Sequence, residues 1–285
     1  SVVWTGGKSQ DNPGYDLTGL LVGSEGTLGL VTRMILKIIR APEKVKTLLA
    51  IFDAIEDASN TVSAIISEGI LPATLEMMDN VVMQAVEASI QAGYPLDAAA
   101  VLIIELDGME DGMERQAEKI LDICKRHHVR DVQLAKDDAQ RAKLWAGRKG
   151  AFGAITRLKP SYMVGDGTVP RTKLPEVLSR VLETGKKYDL LIGNVFHAGD
   201  GNLHPLILFD ERDEEERKKA RKAAVEILKI CADAGGTISG EHGIGLEKKK
   251  EMFYIFSESD LESMRQVKRA FDPEDILNPG KVIPA

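Results

Sequence analysis

From Val45 onward, apolar runs alternate with amphipathic stretches. Residues 45–52, 72–78 and 99–106 read as strands, and 54–67 and 81–92 read as helices between them. The helical spacing returns at 112–127, and 132–134 is a short strand. Residues 137–156 are helical, with Leu144, Trp145, Ala151 and Ile155 on or near one face. Residues 161–169 are extended, and 173–188 form a helix opened near Thr172 with Pro175 in its first turn. Residues 190–197 and 203–209 are strands, and 212–234 is a long, highly charged helix. The last helix is 257–271, with Ser259 and Glu262 offering a capping box. Ahead of Pro42, a glycine-rich stretch leads into 28–40, where Val, Ile and Thr predict a strand. These repeated units predict α/β or α+β. The antiparallel pair at 190–209 favours α+β of ferredoxin-like type, an antiparallel sheet with flanking helices.

Composition narrows the function classes. The 285 residues are 44% hydrophobic and 28% charged, ordinary for a globular chain that can bury a core without disulfides. A formal net charge of -7 argues against a nucleic-acid footprint. The longest uninterrupted apolar run is seven residues, 98–104, against the ~18 or more that a membrane helix needs. Cys124 and Cys231 lie in separate helical patterns, so neither a zinc ribbon nor a redox dithiol is expected. A reduced, cytoplasmic setting is expected, with any membrane association peripheral and through a partner.

The densest chemistry lies at 194–205. Asp200-Gly201 is a preferred two-residue hairpin turn; folding there sets His197 directly opposite His204. Directly opposite residues have Cβ atoms about 4.5–5.5 Å apart, near enough for two imidazoles to share a metal ion. The bland alternative is a pair of polar residues on a solvated face. His127 and His128 end a Lys- and Arg-rich helix, where cations suit the C-terminus, and read as structural. The remaining histidine, His242, sits in a stretch with five glycines among residues 235–245. There Glu241 would complete a two-His, one-carboxylate set that leaves metal positions open. The alternative is a Gly-rich turn with a surface Glu-His pair. A hydroxyl with a pKa of about 16 lies roughly 9 units, or ~12 kcal/mol, above a histidine. A metal acting as Lewis acid on that hydroxyl would make His242 a competent base.

At the other end, Asn12-Pro13-Gly14-Tyr15-Asp16-Leu17 leads to Gly23-Ser24-Glu25-Gly26-Thr27-Leu28-Gly29. Its spacing is neither the Rossmann fingerprint nor a phosphate loop with lysine. Alone, it indicates only close backbone approach or a tight connection.

Taken in order, Gly14–Leu17, Gly23–Gly29, His197 to His204, Gly240–Gly245 and Leu277-Asn278-Pro279-Gly280-Lys281 resemble the FAD-linked 2-hydroxy-acid dehydrogenases of the vanillyl-alcohol oxidase superfamily. That family includes glycolate oxidase FAD subunits, D-lactate dehydrogenases and D-2-hydroxyglutarate dehydrogenases. The resemblance covers nearly the whole chain and implies correspondence to the family's C-terminal half. Residues 1–42 would end an FAD domain, 43–264 would form the substrate domain, and 265–285 would return to the flavin. It implies FAD contacts from Tyr15, Asp16, Leu17, Gly23, Ser24, Glu25, Gly26, Gly29 and Asn278. It implies a divalent metal on His197, His204 and Glu241, zinc ahead of manganese or iron, with His242 as catalytic base. Arg148 of Trp145-x-x-Arg148 would clamp the substrate carboxylate, with Asn202 also facing substrate. Phe152 and Tyr162-Met163-Val164 stand where hydroxyglutarate enzymes offer Thr and Lys to a second carboxylate, which favours lactate or glycolate.

The implied reaction is oxidation of a small 2-hydroxy acid to the 2-oxo acid, with hydride passing to FAD. Electrons would leave to a quinone, an electron-transfer flavoprotein or an iron–sulfur subunit of a homo- or hetero-oligomer. Two rivals remain at this stage. One is a non-catalytic fragment or subunit that binds metal, substrate or a partner chain but holds no FAD itself. The other is a metal-dependent hydrolase using the same ligands.

Overall fold

The computed structural model describes residues 2–7 and 14–285; Asn12 and Pro13 of the glycine-rich lead-in lie outside the described residues. The backbone packs as two units, Ser1–Arg40 with Glu241–Ala285, and Ala41–Gly240. The first includes the short helix α1 (Leu17–Leu21), capped by the Asp16 carboxylate, which accepts from Gly19 N at 2.9 Å.

The larger unit begins with β1 (Lys44–Phe52), α2 (Ile55–Ser67), β2 (Thr74–Asp79), α3 (Asn80–Glu87), β3 (Ala100–Gly108), α4 (Met113–Arg126) and β4 (Asp131–Leu134). These strands lie in the order β4-β1-β3-β2, each pair antiparallel. That is a βαββαβ ferredoxin-like unit with α3 added between β2 and β3. The chain continues through α5 (Asp138–Ala154), β5 (Ser161–Val164), β6 (Gly167–Thr168), α6 (Leu174–Tyr188), β7 (Ile192–His197), β8 (Asn202–Leu203), β9 (Pro205–Phe209) and α7 (Glu214–Asp233). Strand β7 pairs antiparallel with β2 and extends the sheet through β8 to β6, while β9 pairs with both β7 and β5. The α+β expectation holds.

Period-two alternation distributes the core over both sheet faces. Leu48, Ala50 and Phe52 of β1, Leu102 and Ile104 of β3, and Phe196 of β7 pack under α2, α4, α6 and α7. Leu49, Ile51, Val101, Ile103, Met78 and Val195 point the other way, against α3 and α5. Cys124 and Cys231 are buried on the first face, where desolvation pushes each thiol up to about 12.

Several local expectations need correction. Residues 161–169 are two strands rather than one, because the chain leaves β9 to pair β6 with β8. The helix expected at 81–92 closes at Glu87, whose carboxylate then accepts from Gly93 N and Tyr94 N. Residues 28–40 form no strand: a strand needs a hydrogen-bonded neighbour, and none of the described strands pairs with them. Ile35, Ile38 and Ile39 are accordingly exposed.

In the smaller unit, α8 (Glu258–Phe271) is capped by Ser257 with Asp260, not by Ser259 with Glu262. The sequence holds two overlapping Ser-x-x-acid patterns, and the earlier one takes the cap. Glu262 instead accepts from Arg265 and Arg269. Among the described residues no helix is long and apolar enough to cross a membrane.

Candidate metal and substrate site

The hairpin that carries the two histidines is closed differently from the expectation. His197 pairs with Asn202, not with His204. Residues Ala198–Asp200 make a 3₁₀ turn and Gly201, at φ 71°, completes the reversal with its N–H on Ala198 O. A bulky residue is disfavoured at that left-handed position, so Gly201 and not Asp200 sets the register. The slip is two residues, and an even slip keeps side chains on the same face. His204 follows β8 as a diagonal neighbour of His197. The rings still meet, with centroids 5.3 Å apart and planes at 81°.

Beneath them lies a residue that the sequence reading missed. Glu76 of β2 is directly opposite His197 of β7. Its Oε1 is 2.7 Å from His197 Nδ1. Its Oε2 accepts from Arg148 Nε, and Arg148 Nη2 lies 2.9 Å from the same oxygen. Both side chains are buried, Glu76 at 6% and Arg148 at 8% exposure. Arg148 is therefore no solvated helix residue: α5 lies on the face where Glu76 and His197 project and delivers its guanidinium to that carboxylate. A carboxylate only accepts, so His197 donates from Nδ1, and a singly protonated ring so held keeps its acceptor lone pair on Nε2. A lone Glu between Leu75 and Met77 in a short apolar strand was the available signal.

His204 is 2% exposed. Its Nε2 lies 3.7 Å from the fully buried Asp166, and the Phe152 ring meets it edge-on at 6.2 Å. Phe152 also packs near Tyr162, at 6.5 Å between centroids. Asp166, likewise missed, accepts from Ser239 Oγ at 2.7 Å and, through its backbone, from Gly240 N at 2.8 Å. Asn202 is buried, and its Oδ1 has no hydrogen-bond partner among the described residues. An orphaned acceptor beside paired imidazoles is what a site for a polar ligand leaves behind. Two imidazoles within reach of one ion, one held by a carboxylate, fit a divalent metal. Behind the site, Asp79 accepts from Val82 N, Asn194 N and Asn194 Nδ2; burial raises its pKa to about 6 against these bonds.

The remaining expected residues lie in the smaller unit. Glu241 and His242 open its second segment, both exposed, with His242 Nε2 3.7 Å from Glu241 Oε1. In the glycine loop, Gly23 and Gly26 have φ of 81° and 70°. Ser24 O accepts from Thr27 N and Thr27 Oγ1. Glu25 accepts from Ile244 N at 2.7 Å and Gly245 N at 2.8 Å, and Asn278 Nδ2 donates to Glu25 O at 2.9 Å. A Cβ on Gly26 would meet Asn278 Nδ2 at 2.8 Å, while one on Gly29 would make ordinary contact with Leu21. Tyr15 is 97% exposed, and Leu17 is partly exposed at the start of α1. A Cβ on Gly23 would meet no described atom within 4 Å. Asp16, Glu25 and Asn278 spend at least part of their bonding capacity inside the unit.

Residues 41–282 match the family described as FAD linked oxidases, C-terminal domain. The glycolate oxidase subunit GlcD of Escherichia coli K12 is 47% identical over 279 residues, 98% of this chain and 56% of that protein. The Bacillus subtilis GlcD is 43% identical, over 99% of this chain and 60% of that protein. The mitochondrial D-lactate dehydrogenase [cytochrome] of Arabidopsis thaliana is 33% identical over 95% and 48%, respectively. The chain thus spans about half the length of the curated relatives it matches. Among solved structures, 4-ethylphenol oxidase from Gulosibacter chungangensis superposes with a TM-score of 0.69 at 16% identity, over 96% of this chain and 60% of that one. That likeness concerns the fold alone.

Proposed function

Because this chain belongs to the FAD-linked oxidase family, matching its C-terminal domain, we propose that it supplies the substrate side of a flavin-dependent oxidation of a small 2-hydroxy acid, of lactate or glycolate type. The observation that carries this reading is the His197–His204 pair resting on the Glu76–Arg148 ion pair. His197 and His204 would hold a divalent metal, with Glu241 as third ligand on the strength of the sequence pattern. Zinc is the first choice for such a set, ahead of manganese or iron. Bound metal acts as a Lewis acid on a hydroxyl, and bound FAD accepts the two electrons.

The protein's own residues do the rest. Arg148 binds the substrate carboxylate with the guanidinium edge not turned to Glu76, and the Glu76 counter-charge fixes its orientation. Asn202 offers its buried Oδ1 to a substrate donor. His242 takes the hydroxyl proton. Phe152 meets His204 edge-on and Tyr162 packs near Phe152; neither side chain offers a cation to a second carboxylate, which favours a monocarboxylate. On the cofactor side, Tyr15, Asp16, Leu17, Gly23, Ser24, Glu25, Gly26, Gly29 and Asn278 would line the flavin. We assign residues 1–42 and 265–285 to the flavin domain and 43–264 to the substrate domain. The electron acceptor would be a quinone, an electron-transfer flavoprotein or an iron–sulfur subunit in a larger assembly. A cytoplasmic enzyme, peripheral at the membrane through that partner, fits this reading.

Elemental analysis of wild type and His204→Ala tests the metal. Stoichiometric metal in the wild type and little in the variant is expected; equal content removes His204 as a ligand. Dye reduction with glycolate, D-lactate and D-2-hydroxyglutarate in the presence of FAD tests the chemistry. Turnover of none of the three overturns the assignment.

A further inference from the structure

The glycine loop and the Glu241-His242 loop are far apart in sequence but joined in the smaller unit by one side chain. Glu25 places both carboxylate oxygens on consecutive backbone amides, Oε1 on Ile244 N and Oε2 on Gly245 N. These amides follow His242 by two and three residues. The seat is shaped for a carboxylate: Gly243 has φ 88°, and a Cβ there would fall 2.8 Å from Glu25 Cδ and Oε1. Glu25 itself is held at φ 51°, a left-handed conformation that non-glycine residues avoid. Asn278 Nδ2 secures it by donating to Glu25 O. A strained residue fixed from behind and bonded through both oxygens indicates an aimed side chain.

We propose that Glu25 is a positioning residue that holds the loop bearing Glu241 and His242 in its working conformation. It thereby ties the order of that loop to the glycine loop assigned to the flavin. The role rests on the proposed metal and base functions of Glu241 and His242. Without the latch, Ile244 and Gly245 lose two charge-assisted acceptors, and the loop must pay ordering entropy whenever the carboxylate of Glu241 is used.

The test compares wild type, Glu25→Gln, Gly243→Ala and the double variant. Amide hydrogen exchange at Ile244 and Gly245 reads the latch, and Co²⁺ titration reads its consequence. Glu25→Gln should speed exchange at both amides by about tenfold or more, the order expected when charge-assisted bonds are lost. Exchange in β1 and β3 should stay unchanged, which shows that the variant is folded. Co²⁺ affinity should fall by about tenfold, as for loss of outer support to a metal ligand. Gly243→Ala should reproduce both effects, and the double variant should add little. Unchanged exchange at Ile244 and Gly245 overturns the latch. Faster exchange with unchanged Co²⁺ affinity overturns the positioning role. Absence of Co²⁺ binding in the wild type overturns the metal reading itself, and the role assigned to Glu25 falls with it.

Discussion

Replacing Glu76 by Gln separates the two jobs of that carboxylate. In the wild type, Oε1 takes His197 Nδ1 at 2.7 Å and Oε2 takes Arg148. The amide of Gln has one acceptor, and the buried guanidinium claims it. The amide nitrogen then faces His197 Nδ1, which must turn from donor to acceptor, and the ring proton moves to Nε2. That is the wrong tautomer for a metal ligand that binds through Nε2. Removing one charge of a buried pair costs about 3–5 kcal/mol, and the retained hydrogen bond to Arg148 puts this substitution at the low end, ~3 kcal/mol. Metal affinity should fall by about 10–100-fold, as for other losses of a carboxylate behind a ligating histidine. Urea unfolding gives the first quantity, Co²⁺ titration the second, and imidazole ¹⁵N shifts the tautomer. The double variant Glu76→Met with Arg148→Met removes both charges; its stability should return to near wild type while metal affinity stays low. Wild-type metal affinity and an unchanged His197 tautomer in Glu76→Gln would refute the reasoning, whatever happened to stability.

Asp79 gives a pH signature. Its folded pKa of about 6 lies above the ordinary 3.8, so the native state binds more protons than the unfolded chain between these values. Stability therefore falls as pH rises through that window and is level above it, by up to roughly 3 kcal/mol at about 1.36 kcal/mol per unit. Asp79→Asn should remove this slope, and a wild-type-minus-variant difference that is flat from pH 4 to 7 contradicts it. Gly201→Ala puts a Cβ against the Val169 carbonyl at φ 71°. It should cost at least about 1–2 kcal/mol from the backbone alone, read by denaturant midpoint; a neutral result means the turn is closed otherwise. Cys124 and Cys231, pushed up to about 12 by burial, should resist iodoacetamide in native protein at pH 8 and both react in urea. Rapid labelling of either in the native state would disprove its burial.

What could be read in the chain follows from what each signal measures. Apolar periodicity records burial of one face, so β1, α2, β3 and α4 were legible to within a few residues. It does not record which strand lies alongside, so 28–40 had the composition of a strand and no neighbour to become one. Turn chemistry located the hairpin, but two overlapping choices, Asp200-Gly201 and Gly199-Asp200 with Gly201 following, differ by two residues in register. The two histidines still meet because face depends on parity and not on register.

Buried charge is the harder case. Glu76, Asp79 and Asp166 each appear in the sequence as a single acid within or beside an apolar run, a pattern shared with any edge strand that shows one side to water. Only the tertiary partners decide between these cases: Arg148 and His197 for Glu76, Asn194 and the α3 amides for Asp79, Ser239 for Asp166. Burying a carboxylate costs several kcal/mol unless partners of this kind offset it. An acid that stays in such a strand therefore implies both a cation or donor opposite it and a use for the geometry it imposes. Applied to β2, that rule leads from Glu76 to the tautomer of His197, and so to which ring nitrogen would meet the proposed metal.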